Sequence, residues 1–304
     1  MSTSRNELGT NIVERIKKEC MSVTKCMIAG LPGSGKSTYI GALWYCLMHP
    51  EKVGNIKLVA DKMNLADDLT VLNRLSEAYK NMKLIDRNYS NQNETVLINL
   101  KEAGSDKKIQ VEIPDFLGEN FRDFIVFKES ELVSKWLKNT DTLVYFMNEV
   151  IPPEFEDDHG PEDDEEPLPA KDIAPFTITD ISAVAMNIMV LKSLLSKKKF
   201  RKVVIVLSWW DENTANGTIP KNPKDYLRDE SPALYNFIEY YIPNADIIGL
   251  SSQGLEYPKE NEESYEATKR EIKAKTREGK RSFVEVGDDI IHDLSLPLYL
   301  LIKE

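Results

Sequence analysis

Cysteine and histidine are scarce: the 304-residue chain carries three of each. Cys20, Cys26 and Cys46 have no metal-type or redox-type spacing, and His49, His159 and His292 form no cluster. Three unpaired thiols argue against a disulfide framework and predict reduced cysteines in a cytoplasmic protein. No apolar run approaches the ~20 residues of a membrane helix; the longest charge-free apolar stretch is Ile181 to Leu191. The N-terminus shows no apolar signal core. No block of Lys and Arg offers an electrostatic footprint for nucleic acid.

What is present is globular: 41% of residues are hydrophobic and 29% charged. A chain this long buries a sizeable core without disulfides or metals, as one large domain or two small ones. The net charge is −11, and nine of those charges come from Glu154, Glu156, Asp157, Asp158, Glu162, Asp163, Asp164, Glu165 and Glu166. The rest of the chain is therefore near neutral. The surrounding segment, about 151–176, is rich in Pro and acid, and is expected to be a mobile insert. Its sharper reading is a docking strip for a basic partner.

Hydrophobic patterning sets the architecture. Residues 1–22 are expected as a separate N-terminal helical extension, with Leu8, Ile12, Val13 and Ile16 at helical spacing. Lys25 to Ala29 is a short apolar strand, and Lys36 to Met48 a helix ended by Pro50. A further helix is expected over Asn64 to Lys83. Thr95 to Leu100 and Ile109 to Ile113 alternate and read as a hairpin around Gly104. Leu132 to Lys138 reads as helical. Thr142 to Met147, Lys202 to Leu207 and Asp246 to Leu250 are continuous apolar runs, as in strands covered on both faces. Asp180 is expected to cap a helix ending near Ser196, and Tyr235 to Tyr241 to form another. Residues 258–280 read as loop plus exposed helix, and Asp288 to Ile302 as helix interrupted at Pro297. Alternating strands and helices predict an α/β fold: a mostly parallel central sheet with helices on both faces. Ligands in such sheets sit beyond the carboxyl ends of the strands.

The first of those positions holds Gly30-Leu31-Pro32-Gly33-Ser34-Gly35-Lys36-Ser37, followed by Thr38. This fits G-x-x-x-x-G-K-[ST] in full. Its glycines let successive N–H groups turn inward toward phosphate oxygens. The helix that starts there adds its positive end. Lys36 is placed to bridge β- and γ-phosphates, and Ser37 to ligate Mg²⁺. By average residue usage, a chance match is on the order of 1% in such a chain. The motif alone does not separate ATPases, GTPases and small-molecule kinases.

After the strand Ile109 to Ile113 comes Asp115-Phe116-Leu117-Gly118. A carboxylate there can hold a Mg²⁺-bound water, and the Gly118 N–H can reach a γ-phosphate because no side chain blocks it. After Lys202 to Leu207 comes Ser208-Trp209-Trp210-Asp211. A carboxylate at Asp211 can accept from guanine N1–H and N2–H₂, a donor pair that adenine lacks; its bland alternative is a helix N-cap. After Asp246 to Leu250, Ser251 and Ser252 offer backbone N–H groups for guanine O6, or simply a polar loop.

This order of motifs, over residues 25 to about 255, resembles the Ras-like and translation-factor-like (TRAFAC-type) class of P-loop GTPases. The resemblance implies the three-layer P-loop NTPase sandwich over 23–304, with GTP/GDP and Mg²⁺ as ligands. It also implies a water-positioning residue after Gly118, where this chain has Glu119 rather than Gln, and a switch threonine, for which Thr70 and Thr95 are candidates and Thr95 the better placed. The usual third motif is Asn/Thr-Lys-x-Asp. Here Ser208 replaces the first residue and Trp209 the Lys, an indole standing where an aliphatic stem normally flanks the purine. The runs GLPGSGKSTYIGALW, SWWD and SLPLYLL further resemble the double-GTPase domains of bacterial conflict systems. That resemblance implies work beside partner proteins in phage defence.

The reading is a switch with Lys36, Gly118 and Glu119 at the hydrolytic centre. Glu119 brings negative charge near the γ-phosphate, so slow hydrolysis is expected, with an arginine supplied by a partner. Two alternatives stand beside it. A nucleotide-binding scaffold with little hydrolysis fits Glu119 and the missing Lys. An ATP-dependent small-molecule kinase needs an arginine-rich lid, and residues 151–176 contain no Arg.

Overall fold

The computed structural model describes residues 23–53, 56–63, 65, 68–84, 95–105, 107–114, 131–152, 181–215, 222–257 and 263–303. The expected N-terminal helix, most of the acidic segment, and Asp115, Gly118 and Glu119 lie outside the described residues.

The strands are β1 (Val23–Gly30), β2 (Leu58–Ala60), β3 (Thr95–Glu102), β4 (Lys108–Pro114), β5 (Thr142–Met147), β6 (Lys202–Ser208), β7 (Asp246–Ser251), β8 (Phe283–Val286) and β9 (Asp289–Ile291). They form one sheet in the order β2-β3-β4-β1-β5-β6-β7-β8-β9. The central pairs β4/β1, β1/β5, β5/β6 and β6/β7 are parallel. Antiparallel strands extend both sides, β3 and β2 beyond β4, and β8 and β9 beyond β7. β1 has β4 on one side and β5 on the other, so the chain changes direction of travel across the sheet at β1. That reversal opens a crevice at the carboxyl end of β1.

The helices are α1 (Lys36–Met48), α2 (Thr70–Lys80), α3 (Glu131–Asn139), α4 (Ala183–Lys197), α5 (Trp210–Ala215), α6 (Pro223–Glu230), α7 (Pro232–Tyr241), α8 (Tyr265–Arg277) and α9 (Leu296–Tyr299). Two hydrophobic clusters cover the sheet. One face meets α1 and α9 through Leu43 and Leu298, with α2 stacked outside α1, and the other meets α3, α4, α6 and α7 through Trp136, Leu191, Leu227 and Ile238. Side chains along β5 alternate between the layers: Leu143, Tyr145 and Met147 join one, Val144 and Phe146 the other. That is why the strand is apolar at every position. The result is a three-layer α/β sandwich with a mostly parallel core.

α1 is buried from Tyr39 to Leu47. Helix α2 covers the side turned away from the sheet. The two backbones approach so closely that a Cβ on Gly41 would sit 2.5 Å from the Leu75 carbonyl. Trp44 Nε1 also donates to Asn73 Oδ1 at 3.0 Å. Two of the cysteines are locked in this interior. Burial pushes the Cys46 thiol up to about 12 and that of Cys26 higher still, so both are inert as nucleophiles.

Several boundaries differ from the sequence expectation. Ser182, not Asp180, caps α4, its side chain accepting from Ala185 N at 3.3 Å. Helix α2 begins at Thr70 rather than Asn64, with Leu69 as its N-cap and the Asp68 carboxylate just ahead accepting from the Thr70 N–H at 2.8 Å. The tail expected as interrupted helix from Asp288 instead forms β9, paired on β8, before the short α9. There Asp293 Oδ1 accepts from both Ser295 N (2.8 Å) and Ser295 Oγ (2.7 Å), holding the turn that leads into α9.

Candidate nucleotide site

The loop Gly30 to Ser37 closes over the carboxyl end of β1. Gly30 has φ 147°, and a Cβ there would collide with the Phe146 carbonyl oxygen of β5. Only glycine fits, so the loop's first turn is fixed by sheet packing. Ser34 is fully buried, its N–H bonded to Leu31 O at 3.2 Å. Gly35 is the N-cap of α1; no side chain caps that helix and no acidic residue occupies its first turn. The positive end of α1 therefore points into the turn without an acidic side chain from its own first turn. Lys36 Nζ reaches back into the turn, donating to Gly30 O (2.8 Å), Leu31 O (2.7 Å) and Ser34 Oγ (3.2 Å). Pro32 and Ser37 are exposed and Gly33, Lys36 and Thr38 half-buried, so the mouth of the turn faces outward.

The ends of β6 and β7 meet this loop. Ser208 is buried, and its Oγ donates to Ser34 O at 3.0 Å, with Met147 O also near at 3.2 Å. One hydroxyl therefore joins β5, β6 and the phosphate-type loop. Trp209 follows in a left-handed conformation, φ 58°, and is 49% exposed. A bulky residue with this backbone costs on the order of 1–3 kcal/mol and points to a functional constraint. Its indole Nε1 lies 3.6 Å from where a Gly35 Cβ would be, so the ring stands beside the start of α1. Trp210 points the other way, into the core, against Gly249 and edge-on to Tyr226. Its Nε1 donates to Glu285 Oε2 at 2.7 Å.

Trp210 thus anchors the first turn of α5, of which Asp211 is the second residue rather than the N-cap. Asp211 is half-buried. Burial, then the charges of Asp211 and Glu256, push the Glu212 carboxyl above its usual range. Three carboxylates, Asp211, Glu212 and Glu256, thus lie near one another at the start of α5.

β7 ends at Ser251, whose Oγ accepts from Gly254 N at 2.9 Å. Ser252 is buried, and its carbonyl accepts from Ser282 Oγ at 2.6 Å. Gly254 has φ 79°, and a Cβ there would strike the Arg281 carbonyl. Thr95 is the first residue of β3, opposite Pro114, the last residue of β4 and the one before Asp115. Thr70 opens α2.

The phosphate-type loop, Ser208, Trp209, Asp211, Ser251 and Ser252 thus share the carboxyl edge of the sheet, as expected of loops that follow adjacent parallel strands. Sequence reasoning missed Tyr79, Arg281, Ser282 and Glu285, which support this edge from behind. The only signal for β8 is the short apolar group Phe283, Val284 and Val286, hidden in a charged stretch.

Among the described residues no helix is long and apolar enough to cross a membrane, and no group of three or more His, Cys, Asp and Glu could hold a metal. Among solved structures, the chain is similar to the G domain of the T. maritima FeoB iron transporter (12% identity, TM-score 0.30, 76% of this chain, 88% of that one). It is also similar to the S. cerevisiae Ski7 GTPase-like domain bound to GDP and inorganic phosphate (11% identity, TM-score 0.39, 81% of this chain). It spans only 48% of that Ski7 chain. The GTP-bound Ski7 structure gives 11% identity and TM-score 0.36, over 84% of this chain and 50% of that one. No curated protein matches the chain. The model of the Double-GTPase 1 family matches residues 27–301, nearly the whole length, and the chain belongs to this family of GTP-binding P-loop GTPases.

Proposed function

We propose that the chain is a slow-hydrolysing GTP switch that works with Mg²⁺ and presents different surfaces to a protein partner before and after hydrolysis. The observation that carries this reading is the joint between the two halves of the site. The Ser208 hydroxyl donates to the Ser34 carbonyl, so the base-side motif is tied directly to the phosphate-side loop. Lys36 exchanges its carbonyl contacts for β- and γ-phosphate oxygens, and the loop amides and the α1 N-terminus take the rest of the charge. Asp211 accepts from guanine N1–H and N2–H₂, the amides after Ser251 donate to O6, and the Trp209 indole flanks the ring.

Ser37 and Asp115, with Thr95, would form the oxygen set for Mg²⁺. Exposed Ser37 stands in the first turn of α1, and hydroxyl and carboxylate oxygens are the hard donors this ion takes. When bound, Mg²⁺ neutralises charge on the phosphate oxygens. Glu119 orients the attacking water and slows its reaction by adding negative charge. GTP draws in the segments at Thr95 and Gly118, and hydrolysis releases them. In this reading the chain works in the cytoplasm beside partner proteins in bacterial anti-phage defence, with an activating arginine supplied in trans.

Phosphate release from GTP by the isolated full-length chain tests the switch reading. Turnover on the order of 10⁻² s⁻¹ or below is expected. Tens of turnovers per second without a partner would overturn it. Tight GTP binding with no turnover would select a nucleotide-binding scaffold instead. Phosphate transfer only in the presence of a small acceptor would select a kinase.

A further inference from the structure

We propose that Ser282, held by Tyr79, is a positioning residue that aims the Ser252–Gln253 peptide at the purine and so sets base selectivity. The inference rests on the reading of the β7 loop as the base-side edge of the nucleotide site.

The geometry is a relay. Ser282 Oγ has one proton, and it goes to the Ser252 carbonyl at 2.6 Å. Tyr79 Oη lies 2.8 Å from the same Ser282 Oγ, so Tyr79 must donate in that pair. Burial pushes the Tyr79 phenol well above its ordinary range, so the proton it donates stays in place. A trans peptide is planar, with its C=O and the following N–H pointing in opposite directions. Turning the Ser252 carbonyl inward to Ser282 therefore turns the Gln253 N–H outward. That N–H has no acceptor among the described residues, which leaves it for a ligand.

The relay is itself braced. The Arg281 guanidinium is almost fully buried and stacks on the Tyr79 ring, 3.7 Å from its centroid. It donates to Tyr79 O at 2.7 Å and Tyr257 Oη at 2.6 Å. No carboxylate pairs with it among the described residues. A cation buried among neutral acceptors is a costly way to fill space, and here its donors fix Tyr79 and Tyr257 at set angles. The Arg281 carbonyl meanwhile abuts Gly254, closing the loop from below. Tyr79 belongs to α2, which packs on α1, so phosphate loop and base loop are registered through one helix.

The test is a titration of Mg²⁺ complexes of GTP, ATP and inorganic tripolyphosphate into the full chain and its Ser282→Ala, Ser282→Thr and Tyr79→Phe variants. Ser282→Ala is expected to weaken GTP about tenfold, the worth of one hydrogen bond, while ATP and tripolyphosphate stay within about twofold. Tyr79→Phe is expected to shift the GTP/ATP ratio the same way, and it serves as the measurement should Ser282→Ala fail to fold. Ser282→Thr keeps the hydroxyl and should restore the ratio. An unchanged GTP/ATP ratio in Ser282→Ala and Tyr79→Phe, with wild type preferring GTP, would overturn the relay alone. Parallel loss of tripolyphosphate and GTP would mark Ser282 as merely structural. A wild type that does not prefer GTP would overturn both the relay and the site reading beneath it.

Discussion

Lys36→Ala is expected to lower GTP turnover by about 10²–10³-fold, the usual loss when one preorganised donor to developing charge is removed. The ammonium is already aimed. It is drawn into the turn by Gly30 O, Leu31 O and Ser34 Oγ at 2.7–3.2 Å, beside the bare N-terminus of α1. No other side chain in the first turn of α1 can substitute, since Ser37 and Thr38 are neutral. Affinity for the triphosphate should fall with turnover, because a hydrogen bond to a charged group contributes about 1.5–3 kcal/mol. Stability should change little. Lys36 is half-buried, and the loop's shape is held independently by Gly30 against β5 and by the Ser208–Ser34 bond. Turnover assays together with thermal melts of the nucleotide-free variant check both halves. Undiminished turnover in a folded Lys36→Ala protein would remove the loop from the hydrolytic site.

Asp211→Asn is expected to exchange one base for another. The carboxylate accepts twice from guanine; the amide presents a donor to one of those N–H groups and leaves it unpaired. GTP affinity should fall about 10²-fold or more, as two charge-assisted bonds of about 1.5–3 kcal/mol are lost. Xanthosine triphosphate carries a carbonyl in place of the amino group and should bind better than to wild type. The substitution is nearly isosteric. The first turn of α5 is held independently, by buried Trp210 on Gly249 and by its bond to Glu285. The variant should therefore melt close to wild type. Competitive displacement of a fluorescent GTP analogue by xanthosine triphosphate reads the exchange, and unchanged preference would remove Asp211 from the base.

The parallel core was legible because β5, β6 and β7 are covered on both faces, which forces unbroken apolar runs. Helix α1 was legible from the helical spacing of Ile40, Leu43, Trp44 and Leu47, with Pro50 as its stop. The edges were not. β2 and β9 have three residues each, too few to show a period, and Ile290 of β9 is exposed. Apolar spacing from Asp288 onward mimics a helix, but pairing with β8 wins over that local signal. In the site, Lys36, Ser208 and Ser251 could be found because motifs follow strands in chain order. The braces could not. Ser282 acts on Ser252 across 30 positions of sequence, and Glu285 on Trp210 across 75. Nothing local in the charged stretch before β8 distinguishes a buried Arg281 from the solvated charges around it.

Calorimetric titration of Mg²⁺–GTP and Mg²⁺–ATP into the unmodified chain is the most direct measurement. GTP is expected to bind with micromolar affinity or tighter, and ATP at least about tenfold more weakly, a gap of about 1.4 kcal/mol or more. Equal affinities would contradict a guanine site built from Asp211 and the loop after Ser251. No binding of either would contradict the grip of the Gly30–Ser37 turn on a triphosphate.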